Sequence, residues 1–167
     1  MLSNKYKTAL VTGASSGIGK AVVRLLSKKK FKVTAIARRK NKILKLSKET
    51  GCEIIIMDIR DTKEIEKLKK SNFDILVNNA GLGRGFTKIY NTTAKDILTT
   101  IDTNVQSFLQ LLRCITPNMV KRKKGHIINI GSIAGLYPLS SSVYGGSKGA
   151  VHLINQNLRL ELSGTGV

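Results

Sequence analysis

Three residues in one stretch of this chain could do acid-base chemistry together. In the run Ser132-Ile-Ala-Gly-Leu-Tyr-Pro-Leu-Ser-Ser-Ser-Val-Tyr144-Gly-Gly-Ser-Lys148, a serine follows an apolar strand, and a tyrosine and a lysine stand four positions apart. On a helix that spacing puts Tyr144 and Lys148 on one face, where both can point at one reacting centre. A free tyrosine titrates near pH 10 and is a poor proton donor or acceptor at neutrality unless a nearby cation favours its phenolate. Lys148 is placed to supply that cation. Lowering a tyrosine pKa by about three units needs roughly 4 kcal/mol of differential stabilisation, a demand that an ammonium in a partly desolvated cleft helps to meet. An exposed tyrosine and a surface lysine on an ordinary helix would show the same spacing in a lysine-rich chain. The pair acquires meaning only from the elements around it.

Those elements alternate. Lys7–Thr12, Phe31–Ala37, Glu53–Asp58, Phe73–Asn78 and His126–Gly131 read as strands apolar on both faces, the pattern of a parallel sheet covered on both sides. Between them, Ile18, Val22, Leu25 and Leu26 fall at helical spacing, and Ile43 to Leu46 and Ile65 to Leu68 are shorter versions. A long helix is expected from about Thr92 to Val120, with a stripe at Ile97, Ile101, Phe108, Leu111, Leu112 and Ile115. The fold class is therefore α/β, one domain over residues 1–167, with right-handed crossovers and an open doubly wound sheet.

The strand ends carry polar and glycine-rich turns. The first strand runs into Thr12-Gly13-Ala14-Ser15-Ser16-Gly17-Ile18-Gly19, where glycines allow a tight turn and let the backbone approach a pyrophosphate at the positive end of the next helix. The second ends in Ala37-Arg38-Arg39. An acid would be expected there to bind the ribose 2′-hydroxyl of NAD; arginine suits a 2′-phosphate instead, which favours NADP(H). The third ends at Asp58-Ile59, where Asp58 is placed to accept from an adenine amino group or to cap the helix starting near Asp61. The fourth ends in Asn78-Asn79-Ala80-Gly81, which can bond to backbone and hold a tight turn beside a cofactor. Asn104, on the core face of the long helix, is either a hydrogen-bonding strut or a group facing a wet site.

Lys+Arg exceeds Asp+Glu by 29 − 10 = 19, and 41% of the residues are hydrophobic, enough for a real core. Such a charge raises nucleic acid as a partner. The basic residues are dispersed over predicted helix faces and ends, with few aromatics between them, so a solvated lysine-rich surface is expected and no nucleic-acid partner. Cys52 and Cys114 have no metal-ligand spacing, which points to free thiols in a reducing compartment and no metal site. The longest apolar runs are too short for a signal or membrane span, so a cytoplasmic chain with no membrane partner is expected.

Taken together, Thr-Gly-x-x-x-Gly-x-Gly (Thr12 to Gly19), Asn-Asn-Ala-Gly (Asn78 to Gly81), Asn104, Ser132 and Tyr-x-x-x-Lys, in this order, resemble the short-chain dehydrogenase/reductase family over the whole chain. The resemblance implies a Rossmann fold and a hydride-transferring oxidoreductase acting on a small alcohol or carbonyl substrate. By it, Tyr144 is the catalytic acid/base, Ser132 orients and polarises the substrate carbonyl, Lys148 binds the nicotinamide ribose and lowers the tyrosine pKa, and Asn104 holds a water in the proton relay. Gly13, Ser15, Ser16, Gly17, Ile18, Gly19, Arg38, Asp58, Ile59, Asn79, Ala80 and Gly81, with Tyr144 and Lys148, would hold NADP(H). Within the family the segments look most like the NADP-dependent branch acting on serine and other 3-hydroxy acids; 3-oxoacyl-carrier-protein reductases share every motif named.

Two departures stand out. Gly145, Gly146 and Gly149 crowd the catalytic helix, each costing up to about 1 kcal/mol relative to alanine unless close packing needs them. Family members also continue past the catalytic helix with two further strands and a substrate-closing segment, whereas this chain stops at Val167. A C-terminally truncated member is therefore expected, a homo-oligomer when complete, or else a nucleotide-binding remnant with little catalysis. The face Val151, Ile154, Leu158 and Leu162, flanked by Leu153 and Leu160, is expected to lack cover and to drive association.

Overall fold

The computed structural model describes residues 6–139 and 141–167; Ser140, inside the Ser132–Lys148 stretch, lies outside the described residues. Among the described residues five parallel strands, β1 (Thr8–Thr12), β2 (Lys32–Ala37), β3 (Glu53–Ile56), β4 (Ile75–Asn78) and β5 (His126–Asn129), form one sheet in the order β3-β2-β1-β4-β5. This is the doubly wound Rossmann arrangement. The order reverses direction at β1, so the crevice between the carboxyl ends of β1 and β4 is where a ligand is expected.

Period-two alternation assigns the two faces. Leu10 of β1, with Ile36 and Leu76, packs on one side beneath Phe108, Leu111, Ile115, Met119 and Val151. Ala9 and Val11 of the same strand point the other way, to Val23, Ile43 and Leu46. The helices are α1 (Gly17–Lys28), α2 (Lys40–Thr50), α3 (Thr62–Glu66), α4 (Ala94–Ile101), α5 (Ser107–Lys121) and α6 (Ser142–Glu161). Caps explain several of their limits. Asp61 accepts from the amides of Lys63 and Glu64 and starts α3, Thr93 accepts from Asp96 N and starts α4, and left-handed Gly51 ends α2.

Three sequence expectations are corrected. The central strands β1, β2 and β4 are buried on both faces, but β3 and β5 are not, and Ile56 and Ile128 are exposed. These two are the outer strands, and their position follows from strand order, a non-local property. In α1, Val22 and Leu26 pack on the core as expected and Gly19 and Val23 are buried, whereas Ile18 and Leu25 are exposed.

The third correction is to the long helix, which is two helices joined by a π-helical turn over Asp102–Gln106. Ser107 Oγ lies 2.8 Å from Asp102 O and 2.9 Å from Thr103 O, so its one hydroxyl hydrogen is shared between two carbonyls of the widened turn. One extra residue in a turn shifts the helical phase. Ile101, in line with Phe108 on a regular helix, is therefore partly exposed while Phe108 is buried.

Among the described residues no helix is long and apolar enough to cross a membrane, and no group of His, Cys, Asp or Glu is set to hold a metal. Cys52 and Cys114 are free and buried.

Candidate active site

The carboxyl ends of β1, β2, β3 and β4 surround a cavity of about 620 Å³. It begins at the turn after β1. Gly13 has φ +66°, and a Cβ there would come within 2.8 Å of Asn79 Nδ2 and 2.9 Å of Ala80 Cα, so only glycine fits beside β4. Ser16 stands at the start of α1 with no bond from its side chain to the helix amides, and no acid stands in the first turn. The opening amides of α1 are thus left for an anion at the positive helix end. Gly13, Ser15, Ser16, Gly17 and Ile18 line the cavity. Gly19 does not. A Cβ on it would meet Asn79 Nδ2 at 2.5 Å and Gly13 O at 2.7 Å, so it lets α1 pack against the turn.

At the end of β2 both arginines reach the cavity, by different routes. Arg38 Nη1 lies 3.3 Å from Asp58 Oδ2, and the Arg60 guanidinium lies 2.7 Å from the same oxygen. The Arg60 guanidinium hydrogen bond is the main reason that Asp58 is held down to about 2, a carboxylate at any physiological pH. Arg39 donates to Ser15 Oγ at 3.0 and 2.8 Å and to Ser16 Oγ at 2.6 Å, fastening β2 to the glycine turn. Arg39 is a cavity residue that attention to Arg38 alone passes over; its signal was a second arginine at the same strand end. Capping of α3 belongs to Asp61, while Asp58 and Ile59 line the cavity.

The two asparagines after β4 act on backbone. Asn79 Nδ2 donates to Thr12 O at 2.8 Å, the amides of Asn79 and Ala80 donate to Thr12 Oγ1, and buried Asn78 Nδ2 donates to Phe108 O at 3.2 Å. They tie β4 to β1 and α5 while Asn79, Ala80 and Gly81 line the cavity. Asn104, 1% exposed, accepts from Leu82 N at 2.8 Å and donates to Leu82 O at 2.7 Å and Ser147 Oγ at 3.0 Å. Both ends of its amide are used, so the side chain is a strut between the β4–α4 loop and α6.

Tyr144 and Lys148 close the cavity at its other end. Ser141 caps α6 by accepting from Tyr144 N, which sets Tyr144 in the first turn with Lys148 one turn on, and both line the cavity. Lys148 is 6% exposed and its Nζ donates to Ile130 O at 2.9 Å; burial pushes its ammonium below the ordinary lysine value. Gly81 makes room for it, since a Cβ there would stand 3.3 Å from Nζ. The Phe86 ring lies 5.7 Å from that of Tyr144, centroid to centroid, and Gly83 lets the loop pass between them. Phe86, Met57, Thr103 and Gly131 are lining residues that carry no sequence motif.

Ser132 stands at the end of β5 and caps a 3₁₀ turn, Ile133–Gly135, its Oγ accepting from Ala134 N at 3.2 Å. It is not among the residues lining the cavity, and neither is Asn104. The turn after Ser132 explains the glycines of α6. A Cβ on Gly145 would stand 3.0 Å from Ala134 O and one on Gly149 3.4 Å from Gly135 O, so these two, four apart, form the face that receives the turn. Gly146 has nothing within 4 Å.

The short chain dehydrogenase family model matches residues 7–167, and the chain belongs to that family. It is 40% identical to the NADP-dependent 3-hydroxy acid dehydrogenase YdfG of Escherichia coli K12, over 95% of this chain and 67% of that protein. A closed form of serine dehydrogenase complexed with NADP+ superposes with a TM-score of 0.90 at 39% identity, covering 94% of this chain and 67% of that one. The bulky-bulky ketone specific alcohol dehydrogenase of Comamonas testosteroni gives a TM-score of 0.89 at 30% identity, covering 97% and 70%. The chain thus spans about two thirds of the length of the curated relative.

Proposed function

We propose that this chain binds NADP(H) and transfers a hydride between it and an alcohol or the corresponding carbonyl, with 3-hydroxy acids such as serine as the substrate class. One observation carries the reading: the glycine turn, the two arginines and the Tyr144–Lys148 pair open on a single cavity. The free amides of α1 suit a pyrophosphate, and Arg38 and Arg39 suit a 2′-phosphate. The similarity to the NADP-dependent dehydrogenases supports both the cofactor and the substrate class.

The nicotinamide, when bound, takes or supplies the hydride. The chain handles the proton. In oxidation the Tyr144 phenol oxygen takes the proton of the substrate hydroxyl, and in reduction it returns one to the carbonyl oxygen. Lys148 offsets the negative charge that develops there, from a desolvated position where an ammonium acts strongly. Ser132 orients the substrate oxygen. Asn104 contributes by fixing the loop at Leu82, its side-chain amide being bonded to Leu82 and Ser147.

The test is turnover followed by NADPH absorbance, with serine and 3-hydroxybutyrate in oxidation and a 3-oxoacyl thioester in reduction. The 3-hydroxy acids should be oxidised with NADP+ and compete with one another. Preference for the thioester would move the substrate class to the 3-oxoacyl reductases, and cofactor binding without turnover on any of them would leave a nucleotide-binding remnant.

A further inference from the structure

Three polar ties join α6 to the end of β5. Lys148 Nζ donates to Ile130 O, His152 Nε2 lies 2.8 Å from Ser132 O, and Asn129 Nδ2 donates to Asn155 Oδ1 at 2.9 Å. Positions 148, 152 and 155 make one stripe of the helix. The middle tie falls on the backbone of the serine assigned to orient substrate. A carbonyl oxygen only accepts, so Nε2 carries the hydrogen and donates.

That carbonyl also accepts from Gly135 N at 3.0 Å, while Ser132 Oγ accepts from Ala134 N. His152 therefore grips the residue from which the 3₁₀ turn starts. Gly131 makes the space: a Cβ on it would stand 2.9 Å from the imidazole Cε1 and 3.1 Å from Nε2. Gly131 in turn lines the cavity, so the imidazole lies directly behind the wall against which substrate would rest. Among the described residues no other side chain donates to the Ser132 carbonyl.

We propose that His152 is a positioning residue, which holds the Ser132 carbonyl through Nε2–H and so sets the direction in which Ser132 Oγ meets the substrate oxygen. The inference rests on the reading of Ser132 given above. Neither the glycine-rich turn nor the Tyr-x-x-x-Lys pattern contains it, since position 152 lies one helical turn beyond Lys148.

Two measurements test it. Amide hydrogen exchange at Gly135 reads the anchor with no substrate present, and steady-state kinetics read its consequence. Loss of one hydrogen bond in His152→Leu should speed exchange at Gly135 about tenfold and lower kcat about tenfold, with KM and NADPH affinity within about twofold. His152→Gln, whose amide nitrogen reaches the place of Nε2, should restore both. Unchanged exchange or unchanged kcat in His152→Leu, or a His152→Gln no better than His152→Leu, would overturn the proposal. Ser132→Ala separates the two levels. If it keeps full turnover, the serine's role is what fails; if it loses turnover while His152→Leu does not, the positioning role alone fails.

Discussion

The two ends of the sheet solve the same problem in opposite ways. At the amino end, Asp74 is 4% exposed and accepts from Lys7 N at 2.8 Å and Thr8 N at 3.3 Å, with Arg122 Nη1 at 2.8 Å and Lys124 Nζ at 3.0 Å on its other oxygen. At the carboxyl end the turn after β1 stays open, α1 begins without a side-chain cap, and Lys148 is buried with no acid against it among the described residues. Saturated polar groups stabilise a fold, whereas donors and a desolvated cation left facing a cavity are available to a ligand.

The largest effect is expected at the carboxyl end. Tyr144→Phe should lower kcat by about 10²- to 10⁴-fold while leaving NADPH affinity within about threefold, because the phenol serves the transition state. Lys148→Ala should damage both. Near-normal turnover in Tyr144→Phe would break the assignment of chemistry to that end.

At the amino end the effect should be on stability alone. Asp74→Ala leaves Arg122 and Lys124 without their shared partner and should cost about 3 kcal/mol in urea unfolding, with NADPH affinity unchanged. Backbone amides and the two cations outweigh desolvation and hold Asp74 well below the usual carboxylate range. A depressed native pKa stabilises the fold fully above the unfolded value, near 3.9, and that contribution is lost as pH falls below it. The gap between wild type and Asp74→Ala should therefore be constant from about pH 5 to 7 and narrow in acid. A gap that widened in acid would contradict this.

Smaller changes sharpen the contrast. Gly19→Ala should cost about 1–3 kcal/mol through overpacking, and should weaken NADPH binding because Gly13 must shift. Arg38→Ala should lower NADPH affinity about tenfold, the worth of one charge-assisted bond, and leave NADH nearly untouched, whereas Arg39→Ala, which also frees Ser15 and Ser16, should weaken both nucleotides. Gly146→Ala, with nothing near its Cβ, should raise stability by about 0.5–1 kcal/mol and change no kinetic constant.

What could be read from the sequence was local. Tyr144 and Lys148 share a helix face because four residues separate them, and Gly13 sits in a strand-to-helix turn because its neighbours in the chain say so. The exposure of Ile56 and Ile128 was hidden, because a strand's place in the sheet depends on pairing that composition does not record. The π-turn at Asp102–Gln106 was hidden too: an apolar stripe continues on either side of it, and one added residue per turn leaves no compositional trace. Asn104 could be read as strut or site, and only its bonds to Leu82 and Ser147 show what its amide does. The glycines of α6 divided the same way: Gly145 and Gly149 receive the turn after Ser132, and Gly146 does not. The face of α6 also came out mixed. Val151 is buried and Ile154 and Leu158 pack on the core, while Leu153 and Leu160 are exposed.

The most direct measurement is a paired fluorescence titration of the chain with NADPH and NADH. A saturable NADPH signal, displaced by NADP+ and at least about tenfold tighter than NADH, is what the free α1 amides and the two arginines require. Equal affinity for the two nucleotides, or no binding of either, would contradict the account.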